Sequence, residues 1–256
     1  MDETTPIDGA IPAATLVIMR EGEGGEDELL LVKRAATMAF AAGAVVFPGG
    51  RIDADDFTVA AMHGADATDV QVAARVAALR ETLEETGLPV GWSALAAEDV
   101  AEVRGALLAE EPLSAMLAAS GQRLDLAALT PFARWCPNFK ESRTFDTWFF
   151  VARAPARGDA LSVSEAEHSQ IFWNSARGVL DAADRGALSI IFPTRRNLER
   201  IAAFGHFAAF AEHARQTPVR RITPWVETRG GETHLCIPDD LGYPVTSEIF
   251  AMVKRG

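Results

Sequence analysis

Between Val70 and Thr86, the apolar residues Val72, Val76, Leu79 and Leu83 recur at spacings of four, three and four. That period marks an amphipathic helix, because residues so spaced share one face at about 100° per residue. Gly87 and then Pro89 close the run, the first suited to a left-handed cap and the second unable to continue a helix. The same helix carries Glu81, Glu84 and Glu85, which fall within about 100° of one another, opposite the apolar stripe. Like charges four residues apart cost a helix about 0.2–0.5 kcal/mol. Crowding also raises carboxylate pKa values unless a cation compensates. Mg²⁺ or Mn²⁺ supplies that compensation, since hard cations take oxygen ligands and commonly bridge protein carboxylates to phosphate oxygens. Arg80 points off the carboxylate face and is placed to brace a neighbouring loop or carboxylate.

Around this helix the chain alternates in period. Ala13 to Met19 and Leu29 to Val32 are short apolar runs separated by a segment rich in Gly and Glu, the pattern of a β-hairpin with a loose loop. Val45-Val46-Phe47 leads into Pro48-Gly49-Gly50, where the chain must turn sharply. Glu98 to Ala119 predicts two helices around Pro112, within a helical insertion over residues 92–128. Strands are expected at Phe132 to Cys136, Thr147 to Val151 and Gln170 to Trp173. Ser175 to Arg185 reads as a helix, Pro193 to about Arg215 as another, and Arg221 to Val226 and Thr233 to Ile237 as short strands. Strands and helices in this irregular order predict a mixed sheet with helices on its faces rather than regular βαβ winding. At 256 residues, one enlarged domain is expected.

The net charge of −12 argues against a general electrostatic grip on a nucleic acid polymer, which needs a clustered surplus of Lys and Arg. An anionic ligand must therefore be met locally. Cys136 and Cys236 match neither a disulfide framework nor a zinc spacing, as expected of thiols in a reducing compartment such as the cytoplasm. No apolar run approaches membrane-spanning length, and Met1 to Ile11 lacks the features of a secretory signal. Gly-x-Ser-x-Gly and P-loop motifs are missing, which removes the commonest serine hydrolase and NTPase readings.

Arg80-Glu81-Thr82-Leu83-Glu84-Glu85-Thr86-Gly87-Leu88, with Phe47-Pro48-Gly49-Gly50 upstream, resembles the signature box of the Nudix hydrolase superfamily. The resemblance implies an α/β fold, the Nudix αβα sandwich with a mixed β-sheet, here with extra helices. It implies a pyrophosphohydrolase that cleaves a diphosphate linkage with Mg²⁺ or Mn²⁺ held by Glu81, Glu84 and Glu85. The chain departs from the box in one place. Counted from Gly50, the first acidic position falls on Asp56 instead of Glu, with Asp53 nearby, and sixteen extra residues precede Arg80. Residues 57–72 are expected to loop out between turn and helix. Together with Arg143 to Phe150 and Ile191 to Leu198, this insertion resembles the acyl-coenzyme A diphosphatase branch of the superfamily. Arg34, nine residues before Gly43, matches part of a coenzyme A signature, although Met38 and Ala39 stand where that signature has Leu and Arg.

The resemblance implies attack of water on a phosphorus atom, with position and charge doing most of the work. Glu84, Glu85, Arg80 and Glu167 are the catalytic candidates, Glu167 as a distal base in the loop before the strand at Trp173. Arg34, Gly49, Gly50 and Arg143 are the substrate-binding candidates, and Arg195 and Arg196 are further guanidinium groups suited to phosphate. Asp146 reads as a strand anchor, His206 and His213 as packing residues, and Phe139, Phe145 and Trp148 as core or stacking residues. The expected partner is a small-molecule diphosphate, with neither nucleic acid polymer nor membrane, and a homodimer is left open. Coenzyme A or acyl-coenzyme A leads as substrate. A nucleotide sugar, a dinucleotide, or a non-catalytic nucleotide-binding regulatory role are the alternatives.

Overall fold

A computed structural model describes residues 9–35, 41–92, 95–137, 144–155, 161 and 168–253. Ile11–Arg20 (β1), Glu28–Arg34 (β2), Val45–Val46 (β3) and Gly49–Arg51 (β4) precede helices Ala54–Met62 (α1), Val70–Thr86 (α2), Val100–Leu108 (α3) and Leu113–Ser120 (α4). Thr130–Trp135 (β5), Phe145–Arg153 (β6) and His168–Ser175 (β7) follow, then helices Ala176–Asp184 (α5), Phe192–Ala202 (α6) and Phe207–Gln216 (α7). Arg221–Ile222 (β8), Trp225–Arg229 (β9), Glu232–Cys236 (β10), Ser247–Ile249 (β11) and Phe250–Val253 (α8) complete the order.

The main sheet runs β3-β2-β1-β6-β5-β8, with β4 attached to β1 and β7 to β2. β1 lies parallel to β6 along most of its length, from Ile11 opposite Phe145 to Met19 opposite Arg153. On its other edge β1 changes partner. Ala13 to Thr15 pair with β4, whereas only Met19 and Arg20 pair with β2. The expected hairpin is thus closed at its loop end alone, and the two strands part to admit the glycines of β4 between them. A smaller sheet, β11-β10-β9, stands apart.

Both faces of the main sheet are covered. Along β1, Ala14, Leu16 and Ile18 pack against the layer of α1 to α4, and Val17 and Met19 against that of α5 to α7. A strand buried on both faces has no polar alternation, which explains the unbroken Leu16 to Met19 run. Val76, Leu79 and Leu83 of α2 are fully buried in the first layer, and Val72 is partly so. Asp69 caps this helix by accepting from Gln71 and Val72 at 3.0 and 3.1 Å. Gly87, at φ +74°, ends it with an amide bond to the Leu83 carbonyl. Among the described residues, no helix is long and apolar enough to cross a membrane.

Three expectations need correction. Residues 57–72 do not simply loop out, because α1 occupies the first part of that excursion and buries Val59 and Ala60 against α2. The long helix expected from Pro193 to Arg215 is two helices, broken at Gly205 with φ +71°. The strand expected from Arg221 to Val226 divides at Pro224 into β8 and β9. α3 and α4 form on either side of Pro112 as expected, with Leu107, Leu113 and Leu117 buried in the α2 layer.

Candidate active site

The turn and the box helix meet through side chains that leave little tolerance. Gly49 takes φ +154°, and a Cβ there would collide with the Ala14 carbonyl and Thr15. At Gly50, a Cβ would run into the Glu81 carboxylate. Two glycines are needed because a strand and a helix carboxylate both approach the same short segment. The Gly49 amide donates to Glu85 Oε2 at 3.0 Å, which ties the turn to the end of α2.

Arg80 faces the acidic residues instead of only flanking them. Its guanidinium donates to both oxygens of Asp56 at 2.9 Å, to Glu81 Oε1 at 2.9 Å and to the Arg51 carbonyl at 3.0 Å. Asp53 Oδ2 lies 3.3 Å away and Glu84 Oε2 4.0 Å away. Asp56 is buried at the start of α1, where it also accepts from the Asp53 amide in a capping box. Burial pushes its carboxyl up, against the downward pull of Arg80. Asp56 therefore joins α1 to α2 through Arg80, and the exposed Asp53 caps the same helix.

Four carboxylates thus lie within 4.0 Å of one guanidinium. Burial pushes Glu81 up to about 7, with Arg80 opposing the shift and Glu84 adding to it. A hard divalent cation would relieve this crowding, and the donor set, oxygen throughout, suits Mg²⁺ or Mn²⁺. Among the described residues, no three His, Cys, Asp or Glu side chains are grouped to hold an ion as they stand. Glu81 is turned toward Arg80, and Glu85 accepts from Gly49 through one oxygen.

Two contributors to this end of α2 have no local signal in the sequence. Arg104 of α3 donates to the Glu84 carbonyl at 2.8 Å and to that of Glu85 at 3.4 Å, a cation at the negative end of the helix. His168, at the start of β7, is buried with Nε2 3.5 Å from Glu85 Oε1. Burial, with Arg34 nearby, lowers its pKa to about 4, so the ring is neutral near pH 7. Both residues reach the site through long-range packing that no spacing rule reveals.

Gly49 also lines a cavity of about 150 Å³ whose walls include Arg34, Phe47, Trp135, Phe145, Phe149 and Thr194. Trp135 is fixed behind it, its indole N–H donating to Tyr243 Oη at 3.1 Å and Asn197 Oδ1 at 3.3 Å. The aromatic walls and one guanidinium suit a ligand with an apolar or flat group beside a phosphate. Arg34 and Gly49 thus line one cavity and Gly50 lies against Glu81, whereas Arg143 and Glu167 lie outside the described residues, as does Phe139.

Of the remaining candidates, Phe145 lines this cavity and the others have partners elsewhere. Arg195 pairs with Asp184 at 2.8 Å, and the buried Arg196 with Glu199 at 2.8 Å and Glu248 at 3.1 Å. They are committed to ion pairs. Asp146 anchors β6 to β5 through a two-point pair with Arg134 at 2.8 and 2.7 Å. Trp148 stacks on Phe150, and Phe145 lines the cavity. His213 stacks on Phe204 and accepts from Arg200, while His206 lies 3.3 Å from Asp27. Cys136 and Cys236 are free, buried thiols.

No family model matches the chain, and no curated protein matches it. Among solved structures it is similar to a NUDIX hydrolase from Alicyclobacillus acidocaldarius, with 31% identity and a TM-score of 0.69 over 79% of this chain and 96% of that one. More distant are a MutT NUDIX hydrolase from Burkholderia pseudomallei, with 16% identity and a TM-score of 0.44 over 74% and 96% of the two chains, and the NUDIX domain of Shewanella oneidensis NrtR complexed with ADP ribose, with 14% identity and a TM-score of 0.44 over 75% and 86%. The mixed sheet between two helical layers, and 31% identity across nearly the full length of the Alicyclobacillus protein, establish that the chain belongs to the Nudix hydrolases.

Proposed function

We propose that this chain is a metal-dependent diphosphate hydrolase acting on coenzyme A or acyl-coenzyme A. The observation that carries the reading is the joint between the Gly49-Gly50 turn and α2, where crowded carboxylates lie beside an aromatic cavity that Gly49 also lines. Glu81, Glu84 and Glu85 would hold the ion. When bound, Mg²⁺ or Mn²⁺ supplies neutralisation of diphosphate charge and a lowered pKa for the attacking water.

The chain's own groups do the rest. The Gly49 amide holds Glu85 Oε2, and Glu85 is a proposed acceptor of the proton of water as its oxygen bonds to phosphorus and the bridging P–O bond breaks. Glu84, one helical step away, and Glu167, next to His168 in sequence, are the other proposed proton acceptors. Arg34 and Arg143 are the proposed phosphate contacts, and Arg80 keeps the turn and α1 in place. The coenzyme A reading is supported by the resemblance in Arg34 spacing and by the placement of Arg34 on the cavity wall.

The test is incubation with coenzyme A, acyl-coenzyme A, nucleotide sugars and dinucleotides in Mg²⁺ or Mn²⁺, with products identified by mass. The expected products from coenzyme A are adenosine 3′,5′-bisphosphate and phosphopantetheine. Cleavage of the other diphosphates alone overturns the coenzyme A assignment. Cleavage of none favours a nucleotide-binding module.

A further inference from the structure

His168 reaches Glu85 only because of an irregularity in the sheet. In β7, Ile171 and Trp173 pack with the cluster on the α2 side, and Phe172 with the opposite cluster. Unbroken alternation would send His168 to the side of Phe172, away from α2. The pairing with β2 shifts instead, Lys33 standing opposite Gln170 and Arg34 opposite His168, so that Ser169 is an extra residue. Ser169 and Gln170 are consecutive exposed positions, and His168 turns inward. A bulge re-aims a side chain at the cost of a regular ladder.

What the bulge delivers is a buried imidazole with no hydrogen-bond partner among the described residues at either ring nitrogen, 3.5 Å from Glu85 Oε1. A buried polar ring left without partners is disfavoured unless a small adjustment or a bound species satisfies it. The Glu85 oxygen it faces is opposite the one held by Gly49. We infer that His168 is a positioning residue, donating from Nε2 to Glu85 Oε1 so that Gly49 and His168 together fix both oxygens of that carboxylate. This rests on the proposed role of Glu85. A ligating carboxylate held by outer hydrogen bonds typically loses about 10–100-fold in metal affinity or activity when such a partner is removed.

The test compares His168→Leu, which removes the donor, with His168→Gln, which keeps one. Expected for His168→Leu is a loss of about 10–100-fold in kcat with KM within about threefold, and Mn²⁺ affinity of the protein alone weakened about tenfold or more by calorimetry. His168→Gln should recover most of both. Wild-type kcat and Mn²⁺ affinity in His168→Leu, or equal impairment of the two variants, would overturn the inference. If His168→Leu does not fold, the imidazole ¹⁵N signals of His168 decide: they should move on Glu85→Gln in the wild-type background, and unmoved signals overturn it. These signals and Mn²⁺ binding are read without substrate. Failure of the wild type to cleave any diphosphate therefore sinks the functional reading while leaving the His168 contact separately decided.

Discussion

Helices α2 and α6 cover opposite faces of one sheet, and each carries a cluster of charged, largely buried side chains that resolves differently. On α6 and its neighbours, Arg195 and Arg196 stand with Asp184, Glu199 and Glu248, two cations to three carboxylates. At α2, Asp53, Asp56, Glu81 and Glu84 all crowd the guanidinium of Arg80, and Arg104 also lies near Glu84. Burial pushes both Glu199 and Glu81 up to about 7, so a perturbed acid does not separate the two regions. The balance of charge around it does. A nearly balanced cluster ties helices together, whereas four carboxylates crowding one guanidinium beside a glycine turn and a cavity suit the proposed cation and anionic substrate.

The contrast is broken most strongly by Glu84→Gln and Glu85→Gln, each expected to lower kcat about a hundred- to ten-thousandfold with little change in Tm. Wild-type turnover in both, measured with Mg²⁺, would place the chemistry elsewhere. Arg196→Met should do the reverse. Leaving Glu199 and Glu248 without their buried partner is expected to cost about 3–5 kcal/mol of stability by urea unfolding, with kcat of the folded fraction retained. A kcat loss at unchanged stability would join the two regions into one site.

Arg80→Lys sharpens the comparison from inside the acidic cluster. Losing the two-point grip on Asp56 should cost about 1.5–3 kcal/mol and loosen α1 from α2. Accelerated hydrogen exchange confined to α1 would report it, and unchanged exchange there would show that the joint lies elsewhere. The smallest effect is on pH. Because burial raises the folded pKa of Glu199 above its ordinary value of 4.5 to about 7, the folded state holds more protons between those values. Its contribution to stability therefore falls as pH rises from 4.5 to 7 and is flat above. Glu199→Gln should flatten that slope in urea titrations, and an unaltered slope would assign it to other acids.

Local signals carried the box helix and missed what distant contacts decide. Val70–Thr86 was legible to the residue, because Asp69, the apolar period and Gly87 all act within the segment. α1 was also signalled, by Asp53 and Asp56 three apart at its start, yet the count of inserted residues suggested a loop. The break between α6 and α7 could not be read from Gly205 alone. Asp27, about 180 positions away, fixes it, donating its amide to the Gly205 carbonyl and accepting from the Phe207 amide at 2.8 Å each. Of the candidate residues, Gly49 meets Glu85, Gly50 lies against Glu81, and Arg34 lines a cavity with Gly49. Their neighbours Arg104 and His168 depend on a helix insertion and a bulge whose pairing partner lies in β2.

The central claim is that the acid left in excess on α2 is a cation site. Calorimetric titration of Mn²⁺ into the wild type, Glu85→Gln and Arg196→Met tests it without any substrate. Binding by the wild type and by folded Arg196→Met, weakened at least about tenfold in Glu85→Gln, is the predicted result. Binding untouched by Glu85→Gln, or no binding by the wild type, would contradict it.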